Sequence, residues 1–169
     1  DAGVVMIGDG RNRDPDLTYW DSSWAVTNAA GSVYTGFTWA SGAAMRWGEN
    51  TVSSRLAFDD GYGIQYGFQT TFDSTGGFHE AQAARYDSGG AVFYKNGTQW
   101  ELAGTMLYSD HYSGQPTGSE VYGNETYIAD LSYYRDQIAD TIPEPSSAVL
   151  FFAVLAAFGW FRRRRRMRV

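Results

Sequence analysis

The sequence predicts an all-β domain with a separate C-terminal tail, and three observations carry that prediction. Among 169 residues there are 12 Tyr, 10 Phe and 6 Trp but only 4 Pro. That balance suits half-buried pleated strands better than a helical bundle or a disordered chain. Clusters of Gly, Asp and Ser punctuate short apolar runs along the first 140 residues, as turns punctuate strands. Beyond residue 140 the composition changes to an uncharged apolar stretch followed by arginines. The length allows one domain of ordinary size plus such a tail. With no cysteine, no disulfide and no thiolate metal site can form, although that absence does not fix the compartment.

Taken in order, Val4-Val5-Met6-Ile7 is an apolar run closed by Gly8-Asp9-Gly10 and predicts the first strand. Residues 11–21 are polar and predict a loop. Residues 33–39, 54–58 and 64–72 predict strands parted by Gly and Asp clusters. Residues 91–94 and 100–107 flank Asn96-Gly97, a pair that tolerates positive φ and predicts a hairpin. Residues 127–138 form the one good helical candidate ahead of the tail. Asn96-Gly97-Thr98 and Asn124-Glu125-Thr126 match glycosylation acceptors, and turn chemistry is the preferred reading of both.

Charge separates body from tail. Residues 1–140 hold 18 acidic and 7 basic side chains, a net charge of −11. An acidic body disfavours nucleic acid and anionic membranes as partners of the folded part. The tail reads in three steps. Pro143-Glu144-Pro145-Ser146-Ser147 can neither continue a helix nor pair in a central strand, so it is an extended spacer. Residues 148–161 are free of charge, short for a membrane span of about 20 residues but extensible by their flanks. Arg162 to Arg166 and Arg168 then mark a cytoplasmic end, which leaves the body outside.

In that order, motif, apolar helix and basic cluster resemble the PEP-CTERM sorting signal of Gram-negative bacteria. The resemblance implies recognition of Pro143, Glu144 and Pro145 by exosortase, a membrane enzyme, with cleavage nearby. It implies an exported protein of the envelope, held in the membrane through residues 148–161 with its arginines cytoplasmic before processing. The mature body would then reach the cell surface or the extracellular space. Asp1-Ala2-Gly3 does not open with a signal peptide. A tail that requires export therefore leads us to expect that an N-terminal region, removed or unread, precedes Asp1.

Asp87-Ser88-Gly89-Gly90 is the one segment that suggests chemistry. A serine attacks a carbonyl only when a base takes its proton and N–H groups face the developing oxyanion. The run from Ser88 to Gly97, followed by Trp100-Glu-Leu-Ala-Gly-Thr-Met, resembles the segment after the nucleophile in trypsin-like serine proteases. Val4 to Gly10, and Val121-Tyr122 with residues 127–138, resemble the first strand and the closing elements of that family's second barrel. The resemblance implies the second six-stranded antiparallel barrel of the chymotrypsin-like fold, with a C-terminal helix, over residues 1–140. Residues 141–169 would be the sorting tail with its own short transmembrane helix.

Carried over by position, the resemblance makes Ser88 the nucleophile and the Tyr86 backbone N–H an oxyanion donor. Asp87, Gly89 and Gly90 anchor the loop, and Asp87 is the buried carboxylate that in the family pairs with a mature amino terminus. Gln82 falls at the base of the specificity pocket, with Ser109 and Glu120 on its walls. Two positions depart from the family: Tyr86 stands where it has glycine, and Leu107 where a serine faces the substrate. The barrel that carries the catalytic His and Asp is absent. His79 and His111 lack the family context, and both read as solvated or packing residues. The resemblance implies an exported endopeptidase acting on peptide or protein, with this fragment inactive alone. The alternative is a non-catalytic surface or extracellular-matrix binding protein on a degenerate protease-like barrel. No cofactor and no metal are expected: Asp9, Asp14 and Asp16 lack the spacing of a calcium loop. Sugar stacking by Tyr and Trp is weighed below filling of the core.

Overall fold

The computed structural model describes residues 2–142 and Phe151. Ten strands precede one helix: β1 (Gly3–Gly8), β2 (Arg11–Arg13), β3 (Thr18–Trp20), β4 (Tyr34–Ala43), β5 (Arg46–Asp59), β6 (Ile64–Thr71), β7 (Ala91–Asn96), β8 (Gln99–Asp110), β9 (Ser119–Val121), β10 (Glu125–Asp130) and α1 (Leu131–Thr141). Six of them close an antiparallel barrel in the order β1-β5-β6-β10-β8-β7, with β7 returning to β1. Inward positions alternate along β1 and β10, as closure requires. Val4, Met6, Phe68, Val92, Met106 and Ile128 fill the interior together with Ala83 from the loop ahead of β7. Gly67 lets β6 and β10 approach closely, because a Cβ there would lie 2.1 Å from the Ile128 carbonyl oxygen.

The remaining strands form a small sheet around β4, which pairs with β2, β3 and β9. Residues 11–21, expected as a loop, therefore contain two short strands. Their shortness hid them, since each has only three residues, Arg-Asn-Arg in β2 and Thr-Tyr-Trp in β3. β5 is also longer than its apolar part, residues 54–58, because Arg46 to Thr51 pair with β1 through their backbone. The β7–β8 hairpin forms as predicted. Asn96 pairs with Gln99, and Gly97 supplies the positive φ of +60°.

The helical expectation for residues 127–138 needs correction. Glu125–Asp130 is a central strand whose residues 126, 128 and 130 are buried, and α1 starts only at Leu131. Pairing on both sides with β6 and β8 outweighs local helical preference. Asp130 ends the strand and caps the helix, its Oδ1 accepting from the Ser132 N–H at 2.9 Å. Tyr133 stacks on Tyr66 at 4.2 Å, and the Tyr134 hydroxyl accepts from the Tyr66 N–H. The chain divides into two units, Asp1–Tyr134 and Arg135–Val169. Among the described residues no helix is long and apolar enough to cross a membrane, and the expected span at 148–161 lies outside them.

Candidate functional site

The Ser88 loop leads from Ala83, at the barrel wall, into β7. Its backbone closes on itself: the Asp87 N–H donates to the Ala84 carbonyl (3.0 Å), and the Gly90 N–H to the Asp87 carbonyl (2.8 Å). The Asp87 carboxylate accepts from the Ala84 N–H at 2.9 Å. It also sits in the Gly8-Asp9-Gly10 turn. A Cβ on Gly8 or Gly10 would lie 2.0 or 2.3 Å from its oxygens, so only glycine leaves it a seat. Burial raises the Asp87 pKa, opposed by the Ala84 and Gly10 N–H groups and by Arg46. The loop is zipped to β8 by Gly89 N–H to Met106 O and Met106 N–H to Gly90 O, at 2.8 and 2.9 Å.

Ser88 is exposed, and its hydroxyl donates to the Leu107 carbonyl at 2.9 Å. Tyr86, two residues ahead, takes φ +86°, the left-handed region that favours glycine. Where the protease resemblance leads one to expect glycine, the tyrosine takes a backbone conformation suited to glycine. Its ring points outward between two guanidinium groups, those of Arg11 and Arg85, each 5.2 Å from its centroid.

A second cluster gathers the three expected pocket residues. His111 Nε2 lies 3.1 Å from Glu120 Oε2 and 3.3 Å from Ser109 Oγ. Ser109 and His111 stand two residues apart at the end of β8, the spacing that places side chains on one face. Glu120 reaches them from the wholly buried strand β9. Its hydrogen bond raises the His111 pKa. Burial raises that of Glu120 itself, against the pull of His111. Gln82 Oε1 accepts from the Thr126 hydroxyl at 3.1 Å, and Thr126 Oγ1 in turn accepts from the Ala83 N–H at 3.0 Å. Three buried polar atoms here lack a hydrogen bond of normal geometry: Trp39 Nε1, Gln82 Nε2 and Glu120 Oε1. The two donors still act on the Glu120 carboxylate and lower its pKa. Sequence reasoning took His111 as a solvated or packing residue; it is exposed, but its bond to Glu120 was not foreseen, because nothing in the chain order brings the two together. The i, i+2 spacing after Ser109 was the only signal.

This cluster does not form a relay. A serine–histidine–carboxylate triad uses the two imidazole nitrogens separately, whereas Ser109 and Glu120 meet the same Nε2. His79 packs between Trp47 (4.7 Å) and Phe78 (5.0 Å). Neither imidazole hydrogen-bonds Ser88. Gln82, Asp87 and Glu120 nevertheless line one cavity of about 260 Å3, together with Arg11, Arg46 and Trp39. Among the described residues no cluster of His, Cys, Asp or Glu could hold a metal ion.

Against the acidic body stands the arginine-rich tail. Residues 141–166 match the PEP-CTERM protein-sorting motif. Such a motif implies an exported, extracellular surface protein, anchored or processed at the envelope by the membrane enzyme exosortase. Pro143, Glu144 and Pro145 fall inside the matched stretch and outside the described residues. No curated protein and no solved structure matches the chain. The PEP-CTERM match thus bears on the destination and lies wholly outside the barrel.

Proposed function

We propose that residues 1–140 form a protease-like barrel that serves this surface protein as a non-catalytic binding module, released from its tail by cleavage near Pro143-Glu144-Pro145. One observation carries the reading. The Ser88 hydroxyl donates to the Leu107 carbonyl and no imidazole accepts from it, so nothing near it takes its proton. The cavity beside it supports binding, since its wall carries the polar side chains of Trp39, Gln82 and Glu120, which make no hydrogen bond of normal geometry with one another.

A second reading, the endopeptidase, is favoured by the backbone of the loop. Tyr86 at φ +86° and Asp87 seated among the glycines keep an Asp-Ser-Gly-Gly turn of the kind the family resemblance implies. A barrel supplying His and Asp from outside this sequence would complete that site. In this reading Gln82, Ser109 and Glu120 choose the substrate side chain.

A fluorophosphonate probe and casein hydrolysis separate the two. The protein alone is expected to stay unlabelled and inactive; labelling abolished by Ser88→Ala would establish the enzyme instead. For the tail, mass spectrometry of the extracellular protein from hosts with and without exosortase should find the arginines removed only when the enzyme is present. A mature protein that keeps Arg162 to Arg166 in the presence of exosortase would reduce the tail to an anchor.

A further inference from the structure

We propose that the groove beside β3 and β4, lined by Leu17, Tyr19, Val33, Tyr34, Tyr112 and Tyr122, binds an uncharged glycan chain. The groove is open and encloses about 480 Å3, with Thr35 and Ser74 completing its wall. That volume lies in the range of ligand sites. None of these side chains is charged at neutral pH, although the first 140 residues carry −11.

The tyrosines are set before a ligand arrives. Trp24 stacks on Tyr34 with centroids 4.1 Å apart and planes 9° from parallel, and Tyr34 packs on Tyr112 at 5.1 Å. Tyr122 is backed by Phe72 at 4.6 Å. Trp24 itself takes φ +67°, a conformation that a non-glycine residue keeps only when its surroundings impose it. Asp21 imposes it. Its carboxylate accepts from the Ser23 and Ala25 N–H groups, and its carbonyl from the Trp24 N–H. The indole N–H then donates to the Ser113 carbonyl at 3.0 Å, fixing the ring that braces the groove.

The lining chemistry selects the occupant. A tyrosine offers a flat apolar face, which suits the C–H face of a sugar ring, and a hydroxyl at its edge for the ring substituents. Among the described residues the hydroxyls of Tyr19, Tyr34 and Tyr122 make no hydrogen bond within the protein, so all three are open to a ligand. A polyanion would find no Lys or Arg in this wall and an acidic body behind it. An extended peptide needs free backbone, but the outer edge of β3 is already taken by Thr27 N–H to Tyr19 O and by the Trp20–Val26 bridge. A purely apolar partner would leave the hydroxyls unpaired. Its sorting as an extracellular surface protein places this groove where glycans are presented. The inference does not depend on what Ser88 does.

The test is binding of the mature extracellular protein to an array of neutral glucans, mannans and galactans, beside polyuronates and a sulfated galactan. Retention on at least one neutral glycan and on none of the anionic ones is expected. Tyr112→Ala should weaken that binding about tenfold or more. Val33→Glu should do the same with unchanged circular dichroism, because Val33 is 60% exposed and supports no packing of the core. Three results would each overturn the proposal: no retention on any neutral glycan, retention on the polyanions instead, or undiminished binding by Val33→Glu. Capture by phenyl-agarose with every glycan ignored would assign the groove to an apolar partner and equally exclude the glycan.

Discussion

Among the described residues two non-glycine residues take positive φ, both aromatic, and they sit in regions built on opposite principles. At Trp24 the strain is imposed by Asp21, and the ring so presented is then fixed by stacking on Tyr34 and by an indole hydrogen bond. At Tyr86 the ring is 55% exposed, and the conformation is held by backbone bonds around Ala84, Asp87 and Gly90. The first region uses a strained residue to position aromatic rings. The second uses a strained backbone to shape a turn, on which the ring is incidental. Side-chain truncation should therefore separate the two.

Trp24→Ala is expected to give the largest effect, a loss of about 3 kcal/mol and roughly 10 °C in Tm. It removes the brace of Tyr34 and Tyr112 while keeping the φ penalty. Trp24→Gly relieves that penalty, so it should be milder than Trp24→Ala by about 1 kcal/mol. Thermal melts of both variants in the full chain check this. Equal losses would mean that the turn relaxes and φ +67° costs nothing.

The contrast also marks what could be read in the sequence. The barrel was legible where apolar alternation and turn glycines coincide, as in Val4 to Gly10 and in the Asn96-Gly97 hairpin. β10 was misread as helix because Tyr127-Ile128-Ala129 are acceptable in either state, and only neighbours on both sides decide. β2 and β3 were missed because three residues are too few to show a period, and they derive their order from pairing with β4. At the site, the Asp-Ser-Gly-Gly turn announced itself. The joining of His111 to Glu120 and the Trp24 brace did not, since both depend on contacts between distant segments. Trp24 and Ser113 are 89 residues apart.

The two regions should respond to pH with opposite sign. Around the Ser88 side the pKa values of Asp87 and Glu120 are raised by burial, and that of His111 by its bond to Glu120. Each of these groups binds its proton more tightly folded than unfolded. Their contribution to stability is full at low pH and is lost as pH rises through the raised folded values, for His111 above the ordinary 6.5. Beside Trp24, Asp21 has its pKa lowered by hydrogen bonds from Ser23 and Ala25, so its contribution is present above the ordinary 3.8 and lost below it. Tm should thus decline as pH rises above the ordinary 6.5, and His111→Gln should flatten that decline. A Tm that rises over this window, or a slope that His111→Gln leaves intact, would place the dominant titration elsewhere.

The smallest effect belongs to Tyr86→Gly, and it bears most directly on the comparison. Glycine at φ +86° recovers about 1–2 kcal/mol of left-handed strain. Against this stand about 0.5–1 kcal/mol of added freedom in the unfolded chain. Loss of the exposed stacking of Arg11 and Arg85 subtracts about 0.5–1 kcal/mol more. The terms nearly cancel, leaving a change within about 0.5 kcal/mol, with stabilisation favoured in high salt if screening weakens the cation–ring attraction. Denaturant unfolding of Tyr86→Gly and Tyr86→Ala at two salt concentrations reads both terms. Tyr86→Ala keeps the strain and loses the ring, so it should fall below Tyr86→Gly by about 1 kcal/mol. If the glycine variant instead lost more than about 1 kcal/mol, the Tyr86 ring would be holding the loop, and the two strained sites would share one design after all.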